Sequence, residues 1–494
     1  MRRHLVCLLA LCLANTALCS NGLRAQSPAA HKASASENIL MISDIHFDPF
    51  HDPTLVPQLV KAKVKDWPKI LATPMTPAAQ QAFDDLQKTC NAKGIDTDYT
   101  LLTSALAAQK KQLPKPLFVA IPGDLMAHQF DCRYRTLMPN GSKDDYSTFA
   151  ANTVAFVTQQ LHNTFPKAPL YFALGNNDSG CKDYRETEDS DYLKADGKSF
   201  SEVVLDKNNA QKVLKDFSAL GDYRVDLPKP FKHTRLLVMQ DIFESKKYET
   251  CGGNDSDKEA KEQIDWLNNE LADARDKKDR VWVMAHIPPG IDAYSTFTKA
   301  AKKSDSSCRY SKPSEFLNSN LFADALRDNT DVISLVLLGH THMDEMRLYA
   351  SKTGDGGIPG KLVPSISPVD GNNPSFTVGV VDPAKALLVD YSVYAASNQT
   401  GIDTTWSLEY TYSTTYNEPD YSAASLTALT NGFLADPQSK TAASQAYESH
   451  YFVGGPSAGL NLKAAAMSAV WPIYTCSMVH DHAKRFTACA CPTN

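Results

Sequence analysis

Short apolar runs recur along most of the chain, and many of them end abruptly in glycine, aspartate, asparagine or histidine. Runs of this length, bounded by turn-forming residues and separated by stretches with helical spacing, predict buried strands that alternate with helices. The predicted strands cover residues 39–42, 117–121, 170–174, 235–239, 281–285, 335–338, 376–381 and 387–394. This repeated order predicts an α/β sandwich rather than a series of separate modules.

Most stretches between these strands have the three- and four-residue apolar spacing of an amphipathic helix. In residues 263–278, for example, Ile264, Leu267 and Leu271 fall on one stripe. The other predicted helices cover residues 78–90, 99–112, 146–164, 199–220 and 313–327. We expect these helices to cover the faces of the sheets.

The composition changes near residue 397, where the strand pattern stops and Thr, Tyr, Ser and Ala become dominant. Helical spacing returns in residues 423–433, 439–451 and 462–469. Cys476 is expected to form a disulfide with Cys489 or Cys491, because all three lie in one short tail. We therefore predict a large domain over residues 38–396 and a small helical subdomain, tied by disulfides, over residues 397–494.

The first residues have the plan of an export signal. Arg2 and Arg3 precede an apolar run over residues 5–18, which is short for a membrane span, and small residues follow. We predict a signal peptide over residues 1–25 and a flexible leader over residues 26–37. Three of the 11 cysteines belong to the predicted signal peptide, and the even number that remains favours disulfides in an exported protein. We expect a secreted or periplasmic protein without a transmembrane segment.

Metal-ligating side chains follow five of the predicted strands, each at or just after the carboxyl end. They are Asp44, His46, Asp124, Asn176, His286, His340 and His342. Asp44 and His46 alternate on extended backbone, so both side chains turn to the same side. Open α/β proteins place their sites at the carboxyl ends of strands, where such loops can converge. These seven residues are therefore candidate ligands of one metal centre.

Each motif alone has a simpler structural interpretation. The turn at Asp48-Pro49 can explain Asp44 and His46, a Gly-Asn turn can explain Asn176, and a single histidine at a strand end is usually structural. The metal hypothesis depends on the five motifs occurring together. Seven ligands, with a carboxylate such as Asp124 that can bridge, suit two cations about 3.5–4 Å apart. Mixed imidazole and carboxylate ligands favour zinc, with manganese or iron as alternatives.

The ordered set DxH, GD, GN, H and GHxH resembles the calcineurin-like metallophosphoesterases over about residues 39–393. Within that family the chain looks most like the acid sphingomyelinase-like phosphodiesterases and the endopolyphosphatases. The supporting residues are Asp44 to Pro49, Gly123-Asp124 with His128, His286 with Pro288-Pro289-Gly290, Gly339 to His342 with Asp344-Glu345, and Asn373-Pro374. The resemblance implies a β-sandwich flanked by helices, a helical C-terminal subdomain and hydrolysis of phosphate esters.

The resemblance also implies how the site works. One cation would take Asp44, His46 and His342, the other would take Asn176, His286 and His340, and Asp124 would bridge them. Family members usually carry a histidine, thought to assist the departing oxygen, where this chain has Asn177. Asparagine cannot deliver a proton at ordinary pH, although the endopolyphosphatases resemble this chain in carrying it. His128 matches another catalytic histidine of the sphingomyelinase-like group, so we predict His128 as the general acid.

These expectations predict an exported phosphoesterase that hydrolyses a phosphodiester or phosphoanhydride with metal-activated water. A polyphosphatase, a phosphomonoesterase, a catalytically weak metal- or phosphate-binding protein and a structural disulfide protein are the alternatives. The substrate would be a small phosphorylated molecule: a phosphodiester, a nucleotide, polyphosphate or a phospholipid headgroup. The net charge of −6 is well mixed and no long basic stripe occurs, so no stable nucleic-acid partner is expected.

Overall fold

Fourteen strands occur in the parts of the chain that the computed structural model describes, residues 36–301, 308–352, 356–454 and 460–492. They are β1 (Glu37–Met41), β2 (Val119–Pro122), β3 (Leu170–Ala173), β4 (Tyr223–Asp226), β5 (Thr234–Val238), β6 (Arg280–Met284), β7 (Ile291–Asp292), β8 (Ser314–Glu315), β9 (Ile333–Leu338), β10 (Glu345–Ala350), β11 (Gly357–Leu362), β12 (Ser375–Asp382), β13 (Leu387–Ala396) and β14 (Trp406–Thr411). The predicted signal peptide (1–25) and residues 26–35 of the leader lie outside the described residues.

Helices lie between many of these strands and make up most of the C-terminal part. They are α1 (Val56–Lys61), α2 (Trp67–Leu71), α3 (Pro77–Thr89), α4 (Tyr99–Gln112), α5 (Phe130–Leu137), α6 (Lys143–Thr164), α7 (Asp191–Ser201), α8 (Lys207–Leu220), α9 (Lys258–Lys277), α10 (Ala293–Ala300), α11 (Leu321–Asp328), α12 (Tyr412–Tyr416), α13 (Ala423–Leu434), α14 (Ala442–His450), α15 (Leu460–Val479) and α16 (Ala483–Ala490). Among the described residues, no helix is both long and apolar enough to traverse a bilayer.

Twelve strands form two six-stranded sheets. The first has the order β14-β13-β12-β1-β2-β3 and the second the order β10-β11-β9-β6-β5-β4. In the first sheet β1, β2 and β3 are parallel. In the second sheet β5, β6, β9 and β11 are parallel. Each sheet therefore presents several strand carboxyl ends at one edge.

Both faces of the central strands are buried, which explains their continuous apolar sequences. In β6, Trp282 and Met284 belong to the apolar core that contains the first sheet, and the Trp282 ring lies 6.0 Å from that of Phe118, just before β2. The alternate residues Val281 and Val283 pack in a second cluster with α9 and α11. The two sheets therefore pack together with helices outside, and the predicted α/β sandwich is confirmed.

The structure differs from the prediction in several elements. The helix predicted over residues 199–220 is two helices, because Leu205 has a φ of 64° and Asp206 caps a new helix, α8. The helix predicted over residues 313–327 begins only at Leu321, since residues 314 and 315 pair with β7. A strand, β14, lies beyond residue 397, where none was expected, and it pairs with β13.

The C-terminal part is helical after β14 and is tied by disulfides. Cys476 pairs with Cys489, as predicted, and Cys491 pairs with Cys308 beyond α10. The other two disulfides are Cys90–Cys132 and Cys181–Cys251. The described residues belong to one compact unit, and the boundary between residues 396 and 397 stays a prediction.

Candidate metal centre

Five loops carry the seven predicted ligands, and they follow β1, β2, β3, β6 and β9. Within each sheet these strands are parallel, so their carboxyl ends lie at the same edge. The loops of the two sheets meet there, for example where His286 Nδ1 lies 2.8 Å from the Pro122 carbonyl oxygen. The structure thus brings all seven side chains to one place.

One group of side chains surrounds Asp44. The Nε2 atom of His342 lies 3.5 Å from Asp44 Oδ1 and 3.1 Å from His46 Nε2. His46 Nε2 is also 3.4 Å from Asp124 Oδ2. These four side chains are buried, and their potential ligand atoms lie within 4.8 Å of one another. We call them the first ligand group.

A second ligand group shares Asp124 and contains His286, His340 and Asn176. His286 Nε2 lies 3.1 Å from Asp124 Oδ2, and these two residues and His340 offer ligand atoms within 4.8 Å of one another. His340 Nδ1 is 2.9 Å from Asn176 Oδ1. Asp183 accepts a 2.8 Å hydrogen bond from Asn176 Nδ2, which turns the amide oxygen toward His340. Asp124 is therefore common to both groups.

Hydrogen bonds on the far side of two rings leave the inner nitrogens available. Nδ1 of His46 lies 2.8 Å from the Met126 carbonyl oxygen, and Nδ1 of His286 has the equivalent contact with Pro122. Because a carbonyl only accepts, each Nδ1 donates, and Nε2 of the neutral ring offers its lone pair toward Asp124. His286 Nε2 is buried without a hydrogen-bond partner. The residues present therefore fit metal ions.

The electrostatics of the cluster favour cations in the same positions. Burial would lower the pKa of His286, but the Asp124 carboxylate outweighs burial and raises that pKa to about 10. The pKa of His46 is raised to about 9 by the same balance. Burial lowers the pKa of His340 to about 3 and that of His342 to about 4, so both rings are neutral near pH 7. Protons on His46 and His286 would thus compete with metal ions for the Asp124 carboxylate.

The backbone of these loops adopts conformations that ordinary residues avoid. Positive φ values between 45° and 73° occur at Asp44, His46, Asp124, His340 and His342. Such conformations cost about 1–3 kcal/mol each and are typical of functional sites. The glycines of the motifs permit the close packing, since a Cβ at Gly123 would lie 2.7 Å from His286 Nδ1 and one at Gly175 would overlap the Asp124 carboxylate.

His128 lies beside the first ligand group. Its ring stacks on that of His46, with centroids 4.0 Å apart, and its potential ligand atom also lies within 4.8 Å of those of His46 and His342. His128 Nδ1 is 2.9 Å from Asp96 Oδ1, and the His128 backbone N–H donates to Asp96 Oδ2. Burial would raise the pKa of Asp96, but the charges of His128 and His46 outweigh it and hold that pKa well below its usual range. Asp96 thus fixes the ring, and Nε2 stays available.

The role of Asp96, which lies between two predicted helices, could not be recognised from the sequence. The contact arises because Phe47 pairs with both Thr97 and Met126, and this pairing brings Asp96 next to His128. The two residues are 32 positions apart on separate loops. Only knowledge of the loop pairing could have found this partner.

Three other side chains near the site form hydrogen bonds with backbone or carboxylate groups. Asp241 accepts hydrogen bonds from the backbone N–H groups of His286 and Ile287, so it caps the loop after β6. Asn177, predicted as a catalytic residue, is 5% exposed, and its amide contacts Asp124. Asp178, which was not singled out from the sequence, accepts from the Gly175 N–H and from two N–H groups of the loop after β2.

The chain belongs to the calcineurin-like phosphoesterase family, whose model matches residues 37–344, more than half of the sequence. It is a metal-dependent phosphoester hydrolase with a cluster of histidines and aspartates that is able to bind metal ions. The resemblance inferred from the five strand-end motifs is therefore confirmed.

The relatives of the chain include phosphodiesterases. Acid sphingomyelinase-like phosphodiesterase 3b from Mus musculus is 27% identical over 403 residues, which cover 79% of this chain and 78% of the relative. The cyclic GMP-AMP phosphodiesterase SMPDL3A from Rattus norvegicus is 25% identical over 430 residues, 85% of each chain. Among solved structures, a dimetal phosphatase from Danio rerio aligns with 78% of this chain and 99% of its own at 11% identity and a TM-score of 0.37.

Proposed function

We propose that the chain is a phosphodiesterase that works with two divalent cations. The observation that carries this proposal is the pair of ligand groups that share Asp124, with His128 fixed beside the first. The first cation would be held by Asp44, His46, Asp124 and His342, and the second by Asp124, Asn176, His286 and His340. When bound, the cations would lower the pKa of a water molecule and neutralise charge on the phosphoryl oxygens.

His128 is the group we assign to protonation of the leaving oxygen. Asp96 accepts from Nδ1, so a proton on Nε2 is the one available for transfer. The His128 side chain is 24% exposed, whereas His46 is fully buried and His342 is 3% exposed. A general acid of this kind typically contributes about 10²–10⁴-fold.

A phosphodiester is the substrate class that we favour, because the relatives of similar length bear phosphodiesterase names. A phosphoanhydride such as polyphosphate is the second candidate. Two exposed lysines lie near the second ligand group. Lys182 precedes Asp183 in the loop after β3. Lys247 lies over the ring of Tyr184, which is 6.5 Å from the ring of His340. These lysines would attract a longer anion. Zinc is the cation that we favour, with manganese or iron as alternatives.

Export is part of the same proposal. The described residues contain four disulfides, which are typical of extracellular or lumenal proteins. The apolar run after Arg2 and Arg3 would be the signal that directs secretion or periplasmic export.

The test is a hydrolysis panel with protein loaded with zinc or manganese and with metal-free protein as the control. The panel contains an aryl phosphodiester, an aryl phosphomonoester, ATP, polyphosphate and sphingomyelin. We expect metal-dependent turnover, highest with the diester. Highest turnover with polyphosphate would favour the second candidate, and no turnover of any substrate would contradict both.

The role of His128 is tested with His128→Ala and aryl phosphodiesters whose leaving phenols differ in pKa. We expect a loss of about 10²–10⁴-fold in kcat with poor leaving groups and a much smaller loss with good ones. Metal content should stay at the wild-type value. An equal loss across the series would contradict the role as general acid, and a lost ion would show instead that His128 is a ligand.

A further inference from the structure

Asn177 uses both of its donors on the shared carboxylate. Its backbone N–H donates to Asp124 Oδ1 over 2.9 Å, and its side-chain Nδ2 donates to Asp124 Oδ2 over 3.0 Å. The residue is 5% exposed. Asn177 thus donates a hydrogen bond to each oxygen of Asp124. Its side-chain N–H group is already used in this contact, at the position where a proton donor was expected.

This contact constrains what Asp124 can bind. A carboxylate oxygen has about two lone-pair positions, so each oxygen of Asp124 keeps one after accepting from Asn177. Oδ2, the oxygen held by the side-chain amide, is also the one that lies 3.1 Å from His286 Nε2 and 3.4 Å from His46 Nε2. The amide therefore orients the oxygen that faces both ligand groups. An amide does not titrate, so this orientation is independent of pH.

We infer that Asn177 is a positioning residue for Asp124 and that His128 alone protonates the leaving group. The leaving group therefore departs on the side of the centre where His128 lies, next to His46. The inference rests on the proposed function. Asn177 thus determines the affinity for both cations, and His128 determines how kcat depends on the pKa of the leaving group. His128 lies on the His46 side because the two rings stack 4.0 Å apart.

The side on which the leaving group departs has a consequence for the substrate. The part of the substrate that is released must fit beside His128, next to the first ligand group. The retained phosphoryl group then faces the second ligand group, where His340 adjoins Tyr184 and Phe316. We expect changes at Phe316, whose ring is 5.8 Å from that of His340, to alter selection of the retained group and not the response to the leaving group.

The experiment measures zinc affinity by calorimetry and the dependence of kcat on leaving-group pKa in Asn177→Ala. Loss of an outer hydrogen bond to a ligand typically costs about 10–100-fold in metal affinity. We expect that loss at both zinc sites, with a leaving-group dependence equal to that of the wild type. The matched control is Asp183→Ala, which removes the hydrogen bond to Asn176 and should weaken the second site alone.

Two results would overturn the inference. One is Asn177→Ala with both zinc affinities unchanged, and the other is Asn177→Ala with the steeper leaving-group dependence expected of His128→Ala. If Asn177→Ala does not fold, Asn177→Asp serves instead, because it keeps the size and the backbone donor but removes the amide donor. A wild-type protein that binds two zinc ions and hydrolyses the diesters shows that the proposed function holds even where the inference fails. A wild-type protein that does neither contradicts both.

Discussion

At the scale of single residues, the hydrogen-bond partner of each side chain determines its chemistry. His46 and His286 have carbonyl partners on Nδ1 and direct Nε2 to the shared carboxylate, whereas His128 has a carboxylate partner, Asp96. A carboxylate partner on one ring nitrogen fixes the orientation and the tautomer of the ring. The half-buried His128 can therefore exchange a proton through Nε2, whereas the buried Nε2 atoms of His46 and His286 face the shared carboxylate.

Asp96→Asn tests this difference. The amide keeps the size of the side chain but removes the carboxylate that fixes the orientation and tautomer of His128, so we expect a kcat loss of about 10–100-fold with poor leaving groups. The loss should be much smaller with good leaving groups, and zinc content should not change. Asp98→Asn is the control, because Asp98 lies in the same loop but faces His51 at 3.5 Å. A loss independent of the leaving group would indicate a structural role only.

The candidate ligands could be predicted because each motif is local. A glycine and a ligating side chain at the end of an apolar run are adjacent in the sequence, as in Gly123-Asp124 and Gly339-His340. The partner of His128 could not be predicted, since Asp96 reaches the site from a loop whose pairing depends on the whole fold. The contact between Asn177 and Asp124 is of the same kind, and it changes the role expected of Asn177.

At the scale of elements, the loop after β3 depends on a disulfide for its shape. Asn176 lies five residues before Cys181, which pairs with Cys251 on a separate loop. Just after Cys181, the Tyr184 N–H donates to the Asn176 carbonyl oxygen, and Asp183 accepts a hydrogen bond from the Asn176 side chain. The disulfide therefore restrains the segment that orients a ligand of the second group.

Removal of this disulfide by Cys181→Ser with Cys251→Ser should weaken zinc binding at the second site. We expect a loss of about 10-fold or more, because Asp183 would no longer hold the amide of Asn176 in place. The control is Cys476→Ser with Cys489→Ser, which removes a disulfide from the C-terminal tail. Both double variants should lose stability, typically by about 2–5 kcal/mol. Equal zinc affinities in the two variants would contradict this role.

Five of the predicted strands, β2, β3, β5, β6 and β9, are buried on both faces. Their apolar runs, as in β6 and β9, stand out because parallel strands covered on both faces contain few polar residues. The strands β4, β7, β8, β10, β11 and β14 were missed. In β10 the buried Glu345 and Arg347 interrupt the apolar pattern, and in β11 two glycines and a proline do so. Those positions become compatible with strands only through partners elsewhere in the fold.

At the scale of the whole molecule, the C-terminal part contacts the loop that carries the GHxH motif. The Tyr410 hydroxyl donates to Asp344 Oδ2 over 2.7 Å, and the Tyr474 hydroxyl donates to Glu345 Oε2 over 2.6 Å. Both carboxylates lie within three residues of His342, and Lys361 forms an ion pair with Asp344. We therefore expect the helices after β14 to stabilise this loop.

Buried carboxyl groups predict that the metal-free protein is more stable at pH 5 than at pH 8. Burial raises the pKa of Glu186 to about 7, above its ordinary value of 4.5. The resulting stability is fully present below pH 4.5 and is lost as the pH rises through 7. Glu186→Gln should reduce the difference in unfolding free energy between pH 5 and pH 8 by roughly 2 kcal/mol. Urea unfolding measures it, with surface Glu202→Gln as the control, and an unchanged difference would contradict the account.

The most direct test of the dinuclear centre is elemental analysis of zinc-loaded wild-type protein and of Asp124→Asn. Both ligand groups contain Asp124, so its substitution should affect both ions at once, whereas Asn176→Ala should affect the second ion alone. We expect two zinc ions per wild-type chain, loss of both from Asp124→Asn and loss of one from Asn176→Ala. A single ion in the wild type, or two ions retained by Asp124→Asn, would contradict the central claim.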